Sequence, residues 1–174
     1  MRLRISVAVL LLCCLLLAAC GYRTSARSSR LPPAVKTIAI PAFTNQTQSY
    51  RVEQLLTAAV VREFVTRTKF RIINEDTEEA DATLHGSVLV VSLAPLTYDS
   101  VTGRASSALI TVTARVSLVD RRGTVLFDNP NYTFREQYQV SRELSSFFEE
   151  DAPAMDRLAR DFARTLVSNI VEAY

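Results

Sequence analysis

Histidine occurs once in this sequence, tryptophan not at all, and glycine only four times in 174 residues. Each scarcity closes a class of chemistry. A metal centre needs several convergent ligands, and His85 has no second histidine to join it. A phosphate-cradling loop needs closely spaced glycines, whereas Gly21, Gly86, Gly103 and Gly123 stand far apart. Serines are plentiful, but no G-x-S-x-G elbow exists and His85 is the sole histidine base. The carboxylates Glu149, Glu150 and Asp151 directly precede a helical segment, where the helix dipole and capping account for them. No catalytic constellation emerges, and no cofactor is expected. The sequence points to binding or assembly.

Cysteine is absent after residue 20, and its last occurrence is informative. Arg2 and Arg4 give a short positive start, and Ile5 to Ala19 form an uncharged apolar run. That run is shorter than the ~20 residues a membrane-spanning helix needs, and it reads as a signal-peptide core. It ends in Leu17-Ala18-Ala19-Cys20, which resembles the bacterial lipobox, where small residues precede the cysteine that is acylated and becomes the new N-terminus. Cys13 and Cys14 leave with residues 1–19, so Cys20 alone remains. A lone cysteine forms no internal disulfide, and acylation removes the liability of a bare thiol in an oxidising compartment. Several acyl chains on Cys20 make a stable anchor, since one chain alone binds weakly. Gly21 follows in place of aspartate; by resemblance to the lipoprotein sorting rule, this implies export to the outer membrane.

Charge of one sign is missing too. Removing Arg2 and Arg4 from the 20 basic residues leaves 18, against 18 acidic residues. A nucleic-acid binder normally shows a basic excess, so that class is excluded. Residues 20–33 are polar, contain Pro32-Pro33 and lack periodicity, as expected of a tether. Residues 34–174 show no repeat and no second linker and are expected to form one domain.

Within that domain, Ala34 to Phe43 predicts a short strand ended by Pro41, with Val35, Thr37 and Ala39 alternating against Lys36, Ile38 and Ile40. Thr44 to Thr47 is a polar turn. Val52, Leu55, Leu56, Ala59, Val60 and Phe64 at helical spacing predict an amphipathic helix capped by Ser49, with Glu53 in its first turn. A short strand, Lys69 to Asn74, follows; strand-helix-strand so spaced suggests a crossover. Beyond the acidic link come a long strand from Ala82 to Leu93, a loop from Ala94 to Ala105, and a return strand from Ser106 to Val119. On the return strand Ile110, Val112, Ala114, Val116 and Leu118 face the core, and Thr111, Thr113, Arg115 and Ser117 face the other way. Asp120 to Gly123 is a hairpin turn. The next strand starts at Thr124, breaks at Asp128-Asn129-Pro130 and resumes to Tyr138. Ala152 to Tyr174 predicts a helix with Met155, Leu158, Ala159, Phe162, Leu166, Ile170 and Val171 as its apolar stripe. The order β-α-β-β-β-β-α predicts an α+β two-layer sandwich, two helices on a mixed sheet of four to five strands.

Several segments together resemble the LPS-assembly lipoprotein family LptE: "AACGY", "IAIPAFTNQT", "VEQLLTAAVVREFV", "EADATLHGSVLVVSLAP", "VTARVSLVDRRGTVLFDNPNYTF" and "ARDFARTLVSNIVEAY". Their order and spacing carry the resemblance over nearly the whole chain after residue 19. It implies a non-enzymatic protein on the periplasmic side of the outer membrane that assists assembly of, and plugs, the LptD β-barrel in lipopolysaccharide transport. It also implies lipopolysaccharide contact through basic residues, for which Arg104 and Arg142 are the candidates in this chain. A plug needs polar faces toward a polar barrel lumen, and the row Thr111, Thr113, Arg115 and Ser117 fits, although an ordinary solvated sheet face has the same pattern. Arg121 and Arg122 read as hairpin-tip charges. The start "TIAIPAFTNQT" plus helix also resembles lipoproteins that activate peptidoglycan synthases or build secretion pores. That gives the alternative expectation: a periplasmic regulatory or pore-assembly lipoprotein.

Overall fold

The computed structural model describes residues 31–140 and 151–172. Cys20, most of the tether, Arg142, Glu149 and Glu150 lie outside the described residues. Strand β1 (Thr37–Ala39) is buried at all three positions rather than alternating as expected. The reason is its place in the sheet: it pairs in parallel with β3 (Arg71–Ile73) on one side and with β4 (Ala82–Tyr98) on the other. The residues that alternate with Ile38 are short, Thr37 and Ala39, and between two flanking strands they leave little surface to expose.

The expected polar turn contains a further strand, β2 (Thr44–Asn45), which pairs in parallel with Ser87 and Val88 of β4. β1 and β2 therefore follow one another along the same side of β4, stepping around Pro41. The described sheet has six strands, ordered β3-β1-β4-β5-β6 with β2 also on β4, one more than the sequence suggested. Two-residue strands carry too little pattern to be read from residue types.

Helix α1 (Val52–Arg67) buries Val52, Leu56, Val60 and Phe64, one residue per turn along a single line. Its cap differs from expectation. Arg51, not Ser49, occupies the N-cap position, at φ 55° and without a side-chain cap bond. Asn45 is the cause: its Nδ2 donates to the Ser49 carbonyl at 2.8 Å and to Glu53 Oε2 at 2.9 Å. Its Oδ1 accepts from the Thr47 N–H and hydroxyl at 2.9 and 2.8 Å. With Ser49 so engaged, the helix starts later, at Val52.

Strands β4, β5 (Ala105–Asp120) and β6 (Val125–Gln139) form an antiparallel meander. The hairpin between β4 and β5 is longer than the expected loop from Ala94 allows, because strand pairing persists to Tyr98–Ala105. The turn is closed by Asp99, whose carboxylate accepts from the Val101 and Thr102 N–H groups at 3.0 and 2.8 Å. Gly103 sits at φ 66°. The expected break at Asp128-Asn129-Pro130 is a bulge within one continuous strand: Val116 pairs with Asn129 and Ala114 with Tyr132, so β6 carries one extra residue there. Pro130 is tolerated because β6 is the sheet's edge.

Helix α2 (Asp151–Val171) buries Ala154, Leu158, Ala159, Phe162, Ala163, Leu166, Val167 and Ile170. Phe162 is the hub of the core. Its ring packs against Phe134 at 5.2 Å, Tyr132 at 5.7 Å and Phe43 at 6.4 Å between centroids, all near edge-on. Asn169 Nδ2 donates to the Tyr132 hydroxyl at 2.6 Å, which satisfies the polar end of a buried ring. The two helices are also clasped by Arg67, which reaches Glu63 on its own helix at 3.3 Å and Glu172 at 3.2 Å and donates to the Ser168 hydroxyl at 3.0 Å. The result is the expected α+β sandwich, two helices on one face of a mixed sheet.

Candidate functional site

Because the helices cover one face only, the alternation along β5 sorts residues into two environments. Ile110, Val112, Ala114, Val116 and Leu118 are buried beneath the helix layer. Thr111, Thr113 and Ser117 are half-buried and Arg115 is exposed on the opposite face, as the sequence pattern predicts. Cross-strand pairing extends this row into a field of short polar side chains. Ser92 stands opposite Thr111, Ser87 opposite Arg115 and His85 opposite Ser117 on β4. Arg135, Thr133 and Asp128 stand opposite Thr111, Thr113 and Ser117 on β6. Thr113 and Thr133 share a hydroxyl hydrogen bond of 3.0 Å, and Thr97 bonds the hydroxyls of Ser106 and Ser107 at 2.8 and 2.7 Å.

Arg115 lies opposite the β6 bulge, where the ladder skips from Asn129 to Tyr132. Its side chain borders a shallow cavity of about 210 Å³ lined also by Pro41, Thr44, His85, Gly86, Ser87 and Ser117. Neither the wall nor its surroundings assembles a metal site, for no group of three or more metal-ligating residues occurs among the described residues. This face offers hydroxyls, the Arg115 and Arg135 guanidiniums, the His85 imidazole and the Asp128 carboxylate. It can hydrogen-bond a polar surface.

The arginines at the hairpin tips divide. Arg104 follows Gly103 at the exposed β4–β5 turn, and its carbonyl accepts from the Asp99 N–H at 2.8 Å. Arg121 is not a mere tip charge. Its Nε and Nη2 both donate to the Ala80 carbonyl, at 3.0 and 2.9 Å, and Nη2 pairs with Asp81 Oδ1 at 3.2 Å. The other Asp81 oxygen accepts from the N–H groups of Lys36 and Thr37, each at 2.9 Å. Those two backbone bonds, and then the Arg121 charge, hold the Asp81 carboxyl below its ordinary pKa. One carboxylate thus ties together the starts of β1 and β4 and the β5–β6 turn. Sequence reasoning saw Asp81 only as part of an acidic link, since its partners lie more than 30 residues away on either side.

The family model described as "LptE: Lipopolysaccharide-assembly" matches residues 35–170. No curated protein matches the chain. Among solved structures, the fold is shared by uncharacterized lipoprotein B from Nitrosomonas europaea, at TM-score 0.52 and 12% identity over 86% of this chain and 92% of that one. A protein of Caulobacter crescentus described as a lipoprotein superposes at TM-score 0.51 and 14% identity, covering 74% and 87% of the two chains. A hypothetical protein from Chlamydia trachomatis superposes at TM-score 0.51 and 12% identity, over 79% and 98%. These likenesses establish the architecture; the match over residues 35–170 establishes the kinship, and the chain belongs to the LptE lipopolysaccharide-assembly family.

Proposed function

We propose that this protein is an outer-membrane lipoprotein, held through acylated Cys20 on the periplasmic side, that assists assembly of an LptD-like β-barrel and plugs its lumen during lipopolysaccharide transport. The family match over residues 35–170 carries this reading. The sheet face supports it physically. A lumen wall is lined by polar side chains, and Thr111, Thr113, Arg115 and Ser117, with Thr133, Arg135 and Ser92 beside them, present matching donors and acceptors on a rigid sheet. Among the described residues both helices lie on the other face, and Arg115 stands exposed on this one. The role is non-catalytic. Arg104 and Arg142 are the proposed lipopolysaccharide contacts, because guanidinium binds phosphate through paired N–H donors.

The experiment is purification of the tagged full-length protein from envelopes in mild detergent, with identification of what accompanies it. A large heat-modifiable β-barrel at near-equal stoichiometry is the expected outcome. A peptidoglycan synthase, or a ring of the protein alone, would replace this function with the regulatory or pore-assembly one.

A further inference from the structure

From Leu89 to Tyr98, β4 has a strand partner on one side only among the described residues. β1 leaves it after Thr83 and β2 after Val88, while β5 continues along the other side. This stretch contains no charged residue. Val90, Leu93, Leu96 and Tyr98 are 49%, 57%, 45% and 63% exposed. The cross-strand partner of Leu93 is Ile110, which is only 4% exposed. Paired residues share a face, so at this level the cover over Ile110 does not extend to Leu93, whereas Leu84 and Val88 farther back on β4 are buried.

A long apolar edge is something proteins usually blunt with charge, proline, bulges or a covering element. Here the blunting lies at the ends. A register shift falls between Val88 and Val90, and Pro95, which has no N–H, closes the other end. Between them Val90 to Ala94 keeps a regular ladder with β5, and its outer backbone groups face away from any described strand.

Three kinds of occupant can be weighed. A lipid surface would leave open-edge backbone groups without partners, which hydrocarbon does not tolerate. A second copy pairing across a two-fold axis would share five residues, about 17 Å of strand, too short a seam to supply by itself the ~1,000 Å² of buried area a stable interface needs. An extended peptide segment needs no more than this length: backbone hydrogen bonds hold it, and alternate side chains set its identity. Such a segment binds weakly by itself but is retained when it belongs to a partner already docked, through its high effective concentration.

We propose that the edge of β4 from Val90 to Ala94 receives an extended, uncharged segment of the barrel partner as an added strand. This rests on the function proposed above and adds to it a directional contact on the part of β4 that leads to the β4–β5 hairpin. The polar sheet face meets the wall; the β4 edge captures a segment that leaves the wall.

The test replaces Leu93 with photoreactive p-benzoylphenylalanine in the full-length lipoprotein, co-expressed with its barrel partner and irradiated in cells. The adduct is mapped by mass spectrometry. The expected result is an adduct to an uncharged, extended segment of the barrel. In addition, Leu93→Lys should lower the adduct yield from a probe at Val90 at least about five-fold, since a charge is costly in a dry strand pair. An adduct to a second copy, to lipid or within the chain itself overturns the inference, as does the absence of an adduct when the barrel co-purifies. Failure of the barrel to co-purify with the unaltered lipoprotein overturns the proposed function, and this inference with it.

Discussion

Gly86 lies directly against the ring of Phe43: a Cβ placed on Gly86 would stand 2.5 Å from ring carbons of Phe43. The ring cannot retreat, because Phe43 is 3% exposed and packs edge-on against Phe162. The glycine therefore lets the loop around Pro41 close onto β4 between the β1 and β2 pairings. Gly86→Ala is expected to destabilise the domain by about 1–3 kcal/mol through overpacking. Chemical denaturation of the domain would show this as a lower midpoint. Gly103→Ala is the informative control: nothing lies within 4 Å of its added methyl, so its cost is confined to the positive φ, about 1 kcal/mol. Equal losses at the two positions would mean that contact with Phe43 is not the reason for Gly86.

Asp81 makes a pH-dependent contribution. Its folded pKa lies below the ordinary aspartate value, so its contribution is complete above the unfolded pKa and fades as pH falls through the lower, folded one. Asp81→Ala is expected to cost about 1–2 kcal/mol at neutral pH, by removing the acceptor for two backbone N–H groups. The difference between wild type and variant should shrink below about pH 4. A gap that stays constant down to pH 2 would assign the loss to packing rather than to the carboxylate.

Arg115 is an exposed cation of the open face, between Thr113 and Ser117 on β5. Arg115→Glu should leave the unfolding midpoint unchanged while reducing recovery of the barrel partner on the order of ten-fold, as charge reversal at an interface does. Arg164→Glu on the outer side of α2, where Arg164 is 67% exposed at its side chain, should have little effect on that recovery. Matching losses would detach the sheet face from the partner.

Arg104→Glu is expected to weaken lipopolysaccharide binding about three- to ten-fold, the scale of one charge-assisted contact to phosphate. The same change at Arg62, exposed on α1, should do less. Direct binding of purified variants to immobilised lipopolysaccharide measures the difference, and equal effects would remove the β4–β5 hairpin tip from the binding surface.

Cys20→Ala should release the protein from the membrane into the periplasm, because the acyl chains on Cys20 are the proposed anchor; no helix among the described residues is long and apolar enough to cross a membrane. Fractionation of envelopes decides it. Recovery of the variant in the outer membrane at wild-type level would show that partner binding alone retains it.

The sequence by itself determined whatever depends on local chemistry and on period. The alternation along β5 placed each core and open-face residue correctly, from Ile110 to Leu118, because a strand can bury only every second side chain against a single helix layer. The apolar stripes of both helices and the turn at Asp120 to Gly123 were equally legible. Tertiary structure decided what depends on a neighbour distant in the chain. β1 is buried throughout because its alternate residues, Thr37 and Ala39, are short and lie between two flanking strands, and β2 exists only because β4 lies beside it. Pro130 breaks nothing because its strand is at an edge. Asn45 displaced Ser49 from the helix start through bonds made across the turn. Asp81 and Arg121 become a clasp only when turns some 40 residues apart meet, and Gly86 becomes necessary only when Phe43 is pressed upon it. Residue types encode which face a side chain prefers; the sheet order decides what it finds there.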